Sequence, residues 1–269
     1  MDLIQAIVLG IVQGVTEFIP VSSSGHLVLV PWLLGWAPPG LVFDTVVHWG
    51  TLVAVVAYFW CDWVDLITAW LRGLVRWDWG DGNARLMWFI ILGTLPAALI
   101  GFALQDLFEA LFGQPVWVCV FLLVTAGLLT FSELLGKRTR KLEDLRWGDA
   151  LLIGLGQAAA IAPGISRSGA TISVGLFRGV EREAAARFSF LLSTPIILGA
   201  GLFKLLDLFS VPDPLAQVPA LLAGFAAAAI SGYLCIRFLL RYLQRGKLYP
   251  FAIYCAGFGL AGLLAVVLL

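Results

Sequence analysis

The chain is predicted to be an all-α integral membrane protein, an inverted-topology repeat with six full transmembrane helices and two re-entrant helix-loop-helix pairs. Three observations predict it. Of 269 residues, 61% are hydrophobic and 13% charged, with a mean hydropathy of +0.96, whereas a soluble domain carries about a quarter charged residues. Six apolar stretches reach the roughly 20 residues that a hydrocarbon core of about 30 Å requires, and four more mostly fall short of it. The short pieces form two broken pairs that match at a fixed shift of 144: Gly10, Gln13, Ser22, Ser24 and Gly25 fall on Gly154, Gln157, Ser166, Ser168 and Gly169.

Taken in order, the first pair is 3-19 and 25-36, interrupted by 20-PVSSSG-25. A helix over 3-19 would reach about 25 Å at 1.5 Å per residue, so a full span there stays open beside the re-entrant reading. Asp2 stands where a secretory signal would carry a basic segment, and Glu17 followed by Pro20 makes a poor cleavage site, so the segment is expected to be retained. Spans 41-60, 86-104 and 115-135 complete repeat one, residues 1-135. A cytoplasmic linker, 136-147, leads to repeat two, 148-269, which holds the pair 149-162 and 169-177 around 163-PGISRSG-169 and the spans 188-206, 215-236 and 249-269. Irregular backbone at membrane depth is tolerated only where protein or a cavity covers it, which favours re-entrance for both pairs. One re-entrant pair plus three spans is an odd number of crossings, so the second copy enters inverted.

Charge placement tests this independently. Lys and Arg accumulate at cytoplasmic span ends, and the model puts 15 of the 17 cations on one face: loop 61-85, linker 136-147, the stretch holding Arg178, Arg182 and Arg187, and the segment from Arg237 to Lys247. Lys204 lies towards the other face and Arg167 in the second broken loop. Both termini and loops 105-114 and 207-214 are then outside. With 17 acidic residues the net charge is zero, so no polybasic surface points to nucleic acid. The four cysteines, Cys61, Cys119, Cys235 and Cys255, lack metal or disulfide spacing and read as packing residues.

An ionisable group at membrane depth costs about 2.5 to 3.5 kcal/mol on insertion scales, so it is a functional candidate with a partner to find. Glu17, His26 and Arg167 are three such groups, and an inverted repeat brings Glu17 and His26 of one copy to face Arg167 of the other. Gln13 and Glu17, four apart, share a helix face. Glu17 lies in the last turn before Pro20, where the helix dipole disfavours a carboxylate, so Arg167 or a divalent cation is expected beside it. Ser22, Ser23 and Ser24, like Ser166 and Ser168, open a half-helix; serine there caps free N–H groups, and two such N-termini with a neighbouring arginine also form an anion site suited to phosphate. His26 fits a proton acceptor or nucleophile held by Glu17, or a satisfied core histidine. His48, four after Asp44, reads as packing or interfacial, and Trp60, Trp63, Trp70 and Trp88 as an aromatic belt.

At these residues the chain resembles a known family. "QGVTEFIPVSSSGH" (13-26) and "GQAAAIAPGISRSGAT" (156-171) closely resemble the two signature regions of the undecaprenyl pyrophosphate phosphatase (BacA/UppP) family, and 184-AAARFSFLLSTP-195, the length and the span count extend the likeness to the whole chain. The resemblance implies a bacterial cytoplasmic-membrane enzyme, its site open to the outer face, that hydrolyses undecaprenyl pyrophosphate to the monophosphate and so recycles the lipid carrier of envelope polymers, with a dependence on a divalent cation such as Mg2+ or Ca2+. Carried over, Glu17 is the essential acid and metal ligand and His26 the histidine; Ser22 and Ser23 flank the reaction centre, and Ser166, Arg167 and Thr171, with Ser168 and Gln13, line the phosphate side. Gln13 departs from the glutamate that many members carry, which puts a two-carboxylate metal site in doubt and leaves a cation to Glu17, substrate phosphates and water. The attacker, Ser23, His26 or water, is open.

A competing reading comes from the architecture, since inverted repeats with broken helices also build transporters: a flippase of polyprenyl phosphate or a carrier of another anion. The small-residue run 223-AGFAAAAISG-232 permits close helix packing, within the chain or in a homodimer.

Overall fold

A computed structural model describes residues 1–77, 80–112, 114–204 and 214–268. Among them the chain is helical throughout, with no strand beyond one isolated bridge, Arg140 to Val180. The first broken pair forms α1 (Leu3–Phe18) and α2 (Ser23–Leu33), followed by α3 (Leu41–Tyr58), α4 (Trp60–Arg76), α5 (Gly82–Ala103), α6 (Gln105–Phe112) and α7 (Pro115–Leu135). After a short 3-10 turn at Leu142–Asp144 come the second pair, α8 (Trp147–Ala159) and α9 (Arg167–Phe177), then α10 (Arg182–Lys204), α11 (Pro214–Leu243) and α12 (Tyr249–Leu268). Six helices, α3, α5, α7, α10, α11 and α12, are long and apolar enough to cross a membrane. Large apolar side chains such as Leu99, Phe131, Leu222 and Ile253 face outward on them, as lipid contact requires. The protein is a multi-pass membrane protein.

Two expected loops and several helix ends differ from the sequence expectation: loop 105-114 holds the short helix α6, whose Asp106 and Gln105 break the apolar run, and most of loop 61-85 is helical. Residues 61–76, expected as part of loop 61-85, belong to α4, which begins at Trp60, the last residue of the expected span 41-60. Its apolar side chains Trp60, Val64, Ile67 and Leu71 recur at helical spacing and are exposed, while Asp62, Asp65, Arg72 and Arg76 hold the polar positions: an amphipathic helix too charged to register as a span. Helix ends also run past the apolar windows. Asp81 caps α5 by accepting from the N–H groups of Asn83 and Ala84 at 2.7 and 3.2 Å, drawing the polar turn before residue 86 into the helix. Loop 207-214 falls largely outside the described residues.

Packing is exchanged between the two halves. Helix α1 packs on α11 and α8 packs on α5, while α3 crosses α10 and α7 crosses α12. The equivalent glycines set the first two contacts: a Cβ on Gly10 would strike the Gly224 backbone, and one on Gly154 the Gly93 backbone. One face of the small-residue run 223-232 packs within the chain, against α1 and α3, with Gly224 seated on Phe43 and Gly232 on Phe18.

Two buried carboxylates gather one end of the bundle. Glu133 (3% exposed) accepts from Arg138, Arg182 and the Leu248 N–H at 2.5 to 2.8 Å. Asp149 (0%) accepts from Arg140, Arg178 and the Arg146 N–H at 2.6 to 3.0 Å. The linker, the start of α8, the end of α9 and the starts of α10 and α12 thus lie together, and the α8–α9 hairpin returns to the end it left. Burying these carboxylates without cations would cost several kcal/mol each, which accounts for the arginines clustered in 136–147 and 178–187.

Candidate active site

The two broken loops meet at the middle of the bundle. Ser22 caps α2 by accepting from the Gly25 N–H at 3.3 Å, and Ser166 caps α9 by accepting from the Gly169 N–H at 3.0 Å. The cap hydroxyls contact Ser24 and Ser168 at 3.3 and 3.2 Å. A crossing helix holds each loop at an equivalent carbonyl: Thr125 of α7 donates to Gly164 O at 3.0 Å, and the Cys255 thiol of α12 donates to Pro20 O at 3.7 Å. Thr125 Oγ1 also accepts from the Ser166 N–H at 3.0 Å. One cap is strained: Ser22 has φ +71°, a conformation costing about 1–3 kcal/mol for a residue with a Cβ.

Glu17, 7% exposed, is the centre. Its Oε1 accepts from Arg167 Nη2 at 2.6 Å, and its Oε2 from Ser23 Oγ at 2.5 Å and Gln13 Nε2 at 2.9 Å. Ser23 and Arg167 are the first residues of α2 and α9 and stand 144 apart, so equivalent positions of the two repeats bind the same carboxylate. Both stand at half-helix N-termini, whose positive dipole ends favour a nearby anion. That offsets the unfavourable place of Glu17 in the last turn of α1, and a pair this deep costs about 3–5 kcal/mol to break from one side.

Arg167 Nη1 donates to Ser189 O at 3.1 Å. Thr171 donates to Arg167 O at 2.7 Å and its hydroxyl meets that of Ser189 at 2.6 Å, so Thr171 fixes the helix turn that carries the guanidinium. Ser168 Oγ donates to Ile19 O at 3.3 Å, joining the loops directly. Gln13, Ser22, Ser166, Ser168 and Thr171 are buried, whereas Ser23 and Arg167 are half-buried and form the accessible edge.

His48 takes a place the sequence did not suggest, and His26 takes the second of its two readings, a satisfied core histidine. His48 comes to the site, Nε2 lying 3.8 Å from Glu17 Oε2, its Nδ1 donating to Asp44 O at 2.6 Å. Its signal was the Asp44–His48 spacing on one face of α3, but spacing does not say which helix that face meets. His26 is not brought to Glu17; its contacts are Ser22 O, Tyr254 and Phe258.

No three His, Cys, Asp or Glu side chains cluster as a metal cage among the described residues. Gln13 turns Nε2 to Glu17 and leaves Oε1 buried without a hydrogen-bond partner; a carboxylate and an amide oxygen are hard ligands of the kind a divalent cation takes together with phosphate and water.

The family model described as "Bacitracin resistance protein BacA" matches residues 6–261. Relatives named undecaprenyl-diphosphatase include one from Desulforudis audaxviator, 47% identical over 260 residues that cover 97% of this chain and 96% of the relative. One from Geotalea daltonii is 44% identical over 267 residues and one from Thermomicrobium roseum 46% identical over 274, each covering 99% of both chains.

Proposed function

The chain belongs to the BacA family, and on that premise we infer that it is an undecaprenyl-diphosphatase, hydrolysing undecaprenyl pyrophosphate to undecaprenyl phosphate and inorganic phosphate. The observation that carries the reading is the single carboxylate, Glu17, held by the first residues of both half-helices, Ser23 and Arg167. A pyrophosphate needs several converging donors, and two helix N-termini with a guanidinium provide them.

In this reading Arg167 and the first-turn N–H groups of α2 and α9 bind the terminal phosphate and stabilise the charge on its oxygens during transfer. Ser23 is the attacker. Its hydroxyl already donates to Glu17 at 2.5 Å, so the carboxylate takes the proton as the Oγ–P bond forms and the bridging P–O bond breaks, leaving the lipid monophosphate. Water then attacks the phosphoserine: its oxygen bonds to phosphorus as the Oγ–P bond breaks, the proton held by Glu17 returns to Oγ, and the proton the water loses leaves with the inorganic phosphate or to solvent. Gln13 orients Glu17, and Thr171 and Ser189 orient Arg167. Glu17 and Gln13 would hold a divalent cation, Mg2+ or Ca2+, together with substrate phosphates; when bound it neutralises phosphate charge.

The site is assigned to the bacterial cytoplasmic membrane, with the carboxylate-gathered, cation-rich end in the cytoplasm. The two hairpins are assigned as re-entrant from opposite faces, the first opening outward, which makes 1-135 and 148-269 inverted repeats sharing one site. The test is phosphate release from undecaprenyl pyrophosphate by the purified protein in detergent, with and without EDTA, for the wild type and Ser23→Ala. Release by the wild type that EDTA suppresses and Ser23→Ala abolishes is expected; no release by folded wild type contradicts the reading, and full release by Ser23→Ala contradicts the role of the serine.

A further inference from the structure

The repeat supplies an internal control for His26. At the shift of 144, Ser22 corresponds to Ser166 and His26 to Ala170. Both serines cap a half-helix, yet Ser166 has an ordinary extended backbone at φ −72° whereas Ser22 is left-handed at φ +71°. The strained copy is the one followed four residues later by a histidine.

That histidine is fully committed. A backbone carbonyl only accepts, so Nδ1 carries a proton and donates to Ser22 O at 2.7 Å. Nε2 is then the acceptor, taking the Tyr254 hydroxyl at 2.7 Å. The ring stacks on Phe258, centroids 4.7 Å apart at 18°, and lies nearly parallel to Tyr254, 5.6 Å at 7°. It is 3% exposed. Both nitrogens and the ring faces are spoken for, and neither nitrogen reaches Glu17. What the ring touches is the carbonyl of the residue immediately before Ser23.

We propose that His26, locked by Tyr254 of α12, is a positioning residue that pins the left-handed Ser22 turn and so aims Ser23 at Glu17; it is neither the nucleophile nor the acid–base group. This rests on the phosphatase reading above and assigns Tyr254, a residue of the last helix, to the same machinery. The second loop needs no pin because its cap is unstrained, consistent with Ala170 there. The chemistry needed from position 26 is one donor at the δ position, which asparagine also offers while lacking a titratable or nucleophilic nitrogen.

The experiment compares kcat, KM and the pH profile of phosphate release for wild type, His26→Asn, His26→Ala and Tyr254→Phe, each checked as folded by size exclusion and thermal unfolding. His26→Asn is expected to stay within about tenfold of wild type with the same pH profile, whereas an imidazole acting as acid or base would leave a deficit of about 10²–10⁴-fold and remove a limb. His26→Ala, which removes the ring's bond and leaves only the backbone N–H of residue 26 on Ser22 O at 3.2 Å, is expected to fall on the order of 10²-fold, the scale of a misplaced reacting group. Tyr254→Phe should lower kcat and leave KM unchanged. If folded His26→Asn is as inactive as His26→Ala while the wild type releases phosphate, the positioning role is overturned; if the wild type releases none, the phosphatase reading fails and takes this role with it.

Discussion

A carboxylate in the last turn of a helix sits against partial negative charge, so Glu17 is stable only because other residues make it so. Arg167 and Ser23 do most of that. Arginine's planar fork can hold Glu17 and a phosphate together, which an ammonium point charge cannot. Arg167→Lys is therefore expected to keep the protein folded but lower kcat/KM by about 10²–10³-fold, the usual loss for one preorganised donor, as measured by phosphate release. At this scale the sequence was legible for Gln13, Glu17, Ser23 and Arg167, because a buried charge demands a partner and the repeat says where that partner lies. For the histidines it was legible only in part: a core His26 was one of the two readings, but its partners, and the place of His48, were not. His26 turns into a slot formed by Tyr254 and Phe258, one helical turn apart on a distant span, and His48 reaches Glu17 only through the packing of α3 on α1.

Elements are held by contacts the apolar pattern does not encode. Both broken loops end in serine caps that their motifs announce, but the Thr125 side chain, wholly buried in α7, fixes the second loop through two hydrogen bonds. Thr125→Val keeps the shape and leaves a carbonyl and an N–H unpaired, so a loss of about 1–3 kcal/mol is expected, read as a lower unfolding temperature together with a fall in activity; an unchanged unfolding temperature would contradict the anchoring role. Span positions were readable because lipid thickness fixes an apolar length. Helix α4 was not, since its charges interrupt the apolar run although its Trp60, Val64, Ile67 and Leu71 stripe carries the helical period.

The whole molecule is two interlocked halves, each placing its first helix against a span of the other, α1 on α11 and α8 on α5. The match at 144 residues is legible in the sequence; which spans pack on α1 and α8 follows from glycine contacts that only the fold reveals. The assigned orientation predicts that, with Cys61 replaced by serine, Gln105→Cys is labelled by a membrane-impermeant maleimide in intact cells and Lys141→Cys only after permeabilisation. The reverse pattern would place the cation-rich end outside. All of this converges on one carboxylate, so the most direct measurement is phosphate release from undecaprenyl pyrophosphate by folded Glu17→Gln, which preserves the side chain's shape and removes its charge. A loss of about 10²-fold or more is predicted, and near-wild-type release would contradict a mechanism centred on Glu17.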